Sequence, residues 1–478
     1  MLFDMPYQKI INLSIDRKDP DMDIDKNGLI RLRIVIGIVF LYTLIFQLTD
    51  NAFTLITPAL IDTYDLSTGV ASWVASIGGM GVAVGFLLFS SFTDFFNEKK
   101  LLIIGVLLTC LPSISSLLIP DSYYVIVGSR FIQSFGEAVA YALSLVLVAK
   151  YLPTREQIIW LGFSCASFAL ATVLGTYVGG FLSTHAGWKF IFYIPLISIL
   201  GLPFIYRFLP NHSNKKTKMD YLGFTILAAL FVCVNFMFSS PNLYLLIGII
   251  TLVILFAIHI KTAKQPFIPP LFFKNKKFIS ILLALIFLFL AQTAIVFLPP
   301  FLLGDIYGYS LEQSSFIYII PYTTAGILAV ISGIIVNKLG IVRTLLISAG
   351  IIIIGLLIAG FCSAGSVSYV IVALTLITVG YAFAYGPLFT GAISTLNQNE
   401  MGTGIGLFNF TCYLSNALGI SLSGILLNSN ISKTIPIFNV NEKLGVYTNA
   451  FLFFAITALI GTIVYYVSTR KQVNLGAE

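Results

Sequence analysis

The chain has 478 residues, 58% of them hydrophobic and 10% charged, with a mean hydropathy of +0.96. Soluble domains carry roughly a quarter charged residues, so a water-soluble core is excluded and a polytopic all-α membrane protein is indicated. The net charge of +7 would suit a nucleic-acid partner, but Lys and Arg cluster in short segments between apolar runs. That is the pattern of membrane topology, and no nucleic acid is expected.

Residues 1–32 hold Asp16, Asp19, Asp21, Asp23 and Asp25 among basic residues and read as a solvated cytosolic tail without a signal peptide. Apolar windows of about 20 residues are long enough to cross the hydrocarbon. Fourteen such windows follow, at 33–58, 71–92, 101–119, 122–149, 157–182, 187–208, 221–240, 243–260, 278–303, 311–336, 341–362, 367–393, 402–427 and 446–469. Pro195, Pro203, Pro299, Pro300, Pro321 and Pro387 fall inside windows and predict kinks, tolerable where neighbouring helices satisfy the freed carbonyls. The largest polar breaks flank 221–260, dividing the chain into a six-span half (33–208), an inserted two-helix hairpin with its loops (209–277), a second six-span half (278–469) and a C-terminal tail (470–478). With both termini cytosolic, 23 of the 27 Lys and Arg lie on the cytosolic side, Lys189, Lys433 and Lys443 lie opposite, and Arg130 is within the membrane. That asymmetry fits an even number of crossings.

Three ionisable residues interrupt the apolar windows. Asp50, Arg130 and Glu137 each cost on the order of 3 kcal/mol near mid-bilayer, so such groups face a bundle interior or a wet cavity. Asp50 reads as a proton carrier, a partner for a cationic substrate, or a hydrogen-bonding residue beside Asn51. Arg130, Gln133 and Glu137 share one helix face at i, i+3 and i+7, about 10 Å from end to end. They read as a polar stripe facing a central cavity or as a network holding helices together. Arg130 and Glu137 are expected to act as one electrostatic unit. Asn409 and Asn416, two turns apart, line a substrate path or bond neighbouring helices. Gly175, Gly179 and Gly180 form a small-residue ridge that permits close helix approach.

The chain has no phosphate-cradling Gly-x-x-x-x-Gly-Lys-Ser/Thr loop, and His185, His212 and His259 have no metal-ligand spacing. An enzyme, a built-in ATPase, a metal and a cofactor are therefore not expected. Cys110, Cys165, Cys233, Cys362 and Cys412 lie in apolar runs without CxxC spacing and read as buried thiols.

Several segments resemble major facilitator transporters. Residues 91–100, Ser-Phe-Thr-Asp-Phe-Phe-Asn-Glu-Lys-Lys, sit where that family has a Gly-x-x-x-Asp-x-x-Gly-basic loop, with an echo at 336–340. The run Arg130-Phe-Ile-Gln133-Ser-Phe-Gly136 is similar to its Arg-x-x-Gln-Gly-x-Gly signature. Gly175-Thr176-Tyr-Val-Gly179-Gly180 is similar to the antiporter signature Gly-Pro-x-x-Gly-Gly. Gly404-Ile-Gly406-Leu-Phe-Asn409-Phe-Thr, with Asp50 eight residues before Pro58, most resembles the fourteen-helix drug:proton antiporters of Gram-positive bacteria, especially the tetracycline efflux branch. The resemblance implies a major facilitator fold of two six-helix halves with two inserted helices, in a bacterial plasma membrane. It implies proton coupling through Asp50, Arg130 and Glu137, and a cavity lined by Asn51, Gln133, Asn409 and Asn416. Asp94, Lys99 and Lys100 would be a gating clasp, working with the Gly175, Gly179 and Gly180 ridge.

The implied activity is export, by a monomer, of an amphipathic small molecule such as a tetracycline or a lipophilic cation in exchange for protons. The chain departs from the pattern at Ser90 and Asn97 (loop glycines), Thr176 (the antiporter proline), Asn337 (the second-half loop acid), Asn416 (glutamate in the tetracycline pumps) and Glu137 (ordinarily alanine). A proton-coupled transporter of an endogenous metabolite, lipid or fatty acid therefore stays open beside drug export.

Overall fold

The computed structural model describes residues 26–92, 97–152, 154–210, 220–239, 242–263, 266, 268, 270–362, 365–396, 401–428 and 442–473. The long helical segments are α1 (Lys26–Leu55), α2 (Trp73–Phe92), α3 (Glu98–Leu118), α4 (Tyr123–Tyr151), α5 (Thr154–His185), α7 (Tyr221–Ser239), α8 (Leu243–Thr262), α9 (Lys276–Tyr307), α10 (Ile319–Leu339), α11 (Ile341–Cys362), α12 (Val367–Ile393), α13 (Met401–Asn428) and α14 (Glu442–Val473). The remaining one, α6 (188–208), is assembled from the 3-10 stretches Trp188–Tyr193 and Pro195–Gly201 and an α-helical end, Leu202–Phe208. In a membrane the backbone must satisfy its own polar groups, and continuous helix does so. Ends are marked by local chemistry: the Asn97 side chain accepts from Lys99 N (2.9 Å) at the start of α3, and α9 closes on Gly308 at φ 66°.

Among the described residues, twelve segments are long and apolar enough to cross a membrane. The expectation of fourteen crossings exceeds that count. Of the fourteen long helical segments, α7 and α10 are not among those twelve. Large apolar side chains such as Leu111, Leu200, Leu243 and Ile354 are exposed, an arrangement that suits hydrocarbon and not water.

Two six-helix halves share one packing plan. In the first, α1 packs on α5, α2 on α4, and α3 on α4. In the second, α9 packs on α13, α10 on α12, and α11 on α12. The halves meet along two related seams, α2 against α13 and α10 against α5, with α1 touching α9 between them. The hairpin α7–α8 stands beside the first seam, where α7 packs on both α2 and α13.

The glycine ridge of α5 belongs to both kinds of contact. A Cβ on Gly175 would strike the Leu48 carbonyl of α1, and one on Gly179 would lie 2.9 Å from Ala52. One on Gly180 would lie 2.7 Å from the Leu311 carbonyl, in the short helix Leu311–Phe316 of the second half. Gly175 and Gly179 thus bring α5 onto α1, and Gly180 lets the two halves touch.

Candidate functional site

The polar residues of α4 converge on α1. Arg130 Nη2 pairs with Asp50 Oδ1 at 2.5 Å; the arginine side chain is 1% exposed and the carboxylate 20%. Ser134, one turn further along α4, donates its hydroxyl to the same carboxylate oxygen at 3.4 Å. The guanidinium carbon lies 4.3 Å from the centre of the Phe53 ring, a cation–π contact that offsets part of its desolvation. Space for the guanidinium comes from α2, where a Cβ on Gly78 would sit 2.7 Å from Arg130 Nη2.

The expected Arg130–Glu137 unit is therefore divided differently. Arg130 reaches across to Asp50, and Glu137 Oε1 instead accepts from Gln133 Nε2 at 3.2 Å. Sequence spacing placed Arg130 and Glu137 on one face but could not show that α1 brings an acid nearer. Glu137 and Gln133 are wholly buried, and Glu137 remains within electrostatic reach of both Asp50 and Arg130. Arg130 Nε and Nη1, Gln133 Oε1, Glu137 Oε2 and the Tyr141 hydroxyl are buried without a hydrogen-bond partner in the structure. Polar atoms in such a setting are the usual hosts of internal water.

The other expected residues are dispersed. Asn51 Nδ2 donates to Gln47 O of its own helix at 2.8 Å. Asn409 Nδ2 donates to Ile405 O (3.0 Å), and its Oδ1 accepts from the exposed Tyr385 hydroxyl of α12 (3.2 Å), beside Phe389 and Phe408. Asn416 holds α9 through its backbone, whose carbonyl accepts from Thr293 Oγ1 at 2.6 Å, and its side-chain oxygen is buried. Asp94 lies outside the described residues. Lys99 donates to Tyr206 O at the end of α6 (2.8 Å), and Lys100 is exposed.

Several polar pairs went unnoticed in the sequence. Glu98, 1% exposed, pairs with Lys150 at 2.8 Å, tying α3 to α4. His185 of α5 meets Glu312 of the second half at 2.9 Å, one turn beyond Gly180. Asp220 and His259 pair at 2.6 Å across the α7–α8 hairpin. Each is separated by more than 35 residues in sequence, and no local spacing announces it.

Two helical halves with a shared plan, a buried ion pair inside the first and apolar side chains facing outward, form a multi-pass helical membrane architecture. Residues 39–420 match the family model of the Major Facilitator Superfamily, and the chain belongs to that family. It is 22% identical over 456 residues to the quinolone resistance protein NorB of Staphylococcus aureus, covering 91% of this chain and 94% of that protein. It is also 22% identical over 426 residues to the riboflavin transporter RibZ of Clostridioides difficile, covering 88% and 92%. Among solved structures, the POT family transporter PepTSo shares the fold with a TM-score of 0.70 at 15% identity, covering 91% of this chain and 98% of that one.

Proposed function

We propose that this transporter exports an amphipathic small molecule in exchange for protons, by alternating access of the two halves. The observation that carries the reading is the Asp50–Arg130 pair. A carboxylate that is partly exposed is held against a guanidinium that is buried. Asp50 and Glu137 face a single cation, so two ionised carboxyls would leave one uncompensated charge, which costs several kcal/mol in a low-dielectric interior. One bound proton balances the cluster. Loading that proton from one side and releasing it to the other supplies the coupling, with Gln133 and Ser134 orienting the two carboxyls.

The cargo is assigned to the drug class because relatives across most of the chain's length include a quinolone resistance protein. A second reading, transport of an endogenous metabolite, draws on the similarity to a riboflavin transporter and on Thr176 in place of the antiporter proline. In this reading of the topology, both termini are cytosolic, fourteen helices cross the plasma membrane, and α7 and α8 are the insertion between the halves. Asn51, Asn409 and Asn416 line the path, and the Asp94, Lys99 and Lys100 segment gates the cytosolic end.

The test is transport into everted membrane vesicles under an imposed proton gradient, with a quinolone, a tetracycline, a cationic dye, riboflavin and a free fatty acid as candidate cargoes. Gradient-dependent accumulation of a drug is expected. Accumulation of riboflavin or fatty acid alone would move the assignment to the second reading, and gradient-independent uptake of every cargo would overturn proton coupling.

A further inference from the structure

The inserted helix α7 belongs to neither half, yet one of its residues bonds to both. Asn235 is fully buried. Its Nδ2 donates to Ser76 Oγ of α2 at 3.2 Å, and its Oδ1 accepts from Ser421 Oγ of α13 at 2.8 Å. Both serines are themselves fully buried. Because both partners are hydroxyls, which donate or accept as required, turning the amide over would preserve the bridge.

The surroundings show that α7 rests on the seam where the halves meet. On one side of the asparagine, Phe236 meets Trp73 of α2 edge-on at 4.9 Å; on the other, Phe231 packs on Phe410 of α13 at 4.5 Å. Beneath it the two halves touch almost backbone to backbone. A Cβ on Gly79 would lie 3.2 Å from Ala417, and one on Gly424 would lie 2.7 Å from the Ser72 hydroxyl. Ser76 stands one turn into α2 and Ser421 two turns before the end of α13, so the bridge crosses the outer part of the seam in the orientation proposed above.

A primary amide in an apolar interior is costly unless its hydrogen bonds are made. Asn235 makes bonds to both halves only while the outer ends of α2 and α13 stay together. When they part, the short side chain cannot follow both serines, and at least one buried bond must break. We infer that Asn235 is a positioning residue for alternating access: α7 is a strap laid over the α2–α13 seam, and Asn235 biases the protein toward the state in which the outer part of that seam is closed. The inference rests on the alternating access and the orientation of the proposed function and not on its cargo or its proton. It also assigns work to the inserted helices, since α8 packs on α7 and steadies the strap from the lipid side.

The test uses the full-length protein in a cysteine-free background with Ser72→Cys as reporter, a position buried against Gly424 in this structure. The readout is the rate of labelling by a membrane-impermeant maleimide added from outside. Asn235→Ala is expected to speed labelling about two- to tenfold, the equilibrium shift from losing one net hydrogen bond. Ser76→Ala and Ser421→Ala should each speed it, and adding Asn235→Ala to the double serine variant should not speed it further, because the amide then has no bond left to lose. Unchanged labelling in Asn235→Ala, with only a lower melting temperature, would show a packing role and overturn the inference. Additive effects of the asparagine and serine changes would overturn it too. If Asn235→Ala fails to reach the membrane, the serine variants carry the test, and unchanged labelling in both is the refuting result. Labelling needs neither cargo nor proton gradient, so failure of the transport assay and failure of the strap are separable.

Discussion

Asp50→Asn and Arg130→Gln should not be equally harmful, because the two members of the pair are not equally buried. Asp50→Asn leaves a guanidinium that is 1% exposed, with Nε and Nη1 already lacking partners. Its remaining support is the Phe53 ring, a neutral amide oxygen and the more distant Glu137 carboxyl. Breaking a buried pair in this way costs about 3–5 kcal/mol, and the surviving amide acceptor places the change near the lower end. Arg130→Gln instead leaves a carboxylate that is 20% exposed. That group keeps the Ser134 hydroxyl and can take up water or a proton, so the loss is about 1–3 kcal/mol. The double variant removes both members of the pair, leaves Glu137 to take up a proton, and should recover stability relative to the sum, with a coupling energy of about 2 kcal/mol. Replacing Glu137 by Gln should couple to Arg130 by less than Asp50 does, because its hydrogen bond goes to Gln133. Double-mutant cycles on unfolding in detergent measure both couplings. Additivity within about 0.5 kcal/mol at positions 50 and 130, or a larger coupling between 130 and 137, would refute the pairing.

Asp50→Asn protein that still reaches the membrane should lose proton-driven accumulation in everted vesicles; concentration of cargo at the wild-type level would remove Asp50 from the coupling. Gly180→Val should trap the halves apart on the outer side, because its Cβ meets the Leu311 carbonyl. External labelling of a cysteine near Leu311 should rise, whereas Gly175→Val, aimed at α1 within one half, should lower stability without that rise. Cysteines placed near Lys216 and Lys276 should resist impermeant reagents in intact cells while one near Asn439 reacts, and labelling of the first two would reverse the proposed orientation.

Composition and hydropathy determined that this chain is a helical membrane protein, because hydrocarbon demands long apolar segments and short charged connections, and both are local properties. Polar residues in apolar windows pointed to Asp50, Arg130, Gln133 and Glu137 for the same reason: their cost is paid at a known depth whatever surrounds them. The glycine ridge was legible too, since only small side chains at i and i+4 allow backbones to touch. Partnership was not legible. Sequence spacing suggested that Arg130 would lean along its own helix to Glu137, and only the packing of α1 on α4 brings Asp50 to 2.5 Å. Nor could any window reveal that Asn235, one amide in an apolar run, lies between Ser76 and Ser421, which are 159 residues before it and 186 after it in the chain. Which helix carries a polar group is written in the local sequence. Which group meets it depends on how separate helices pack, and that information exists only in the assembled bundle.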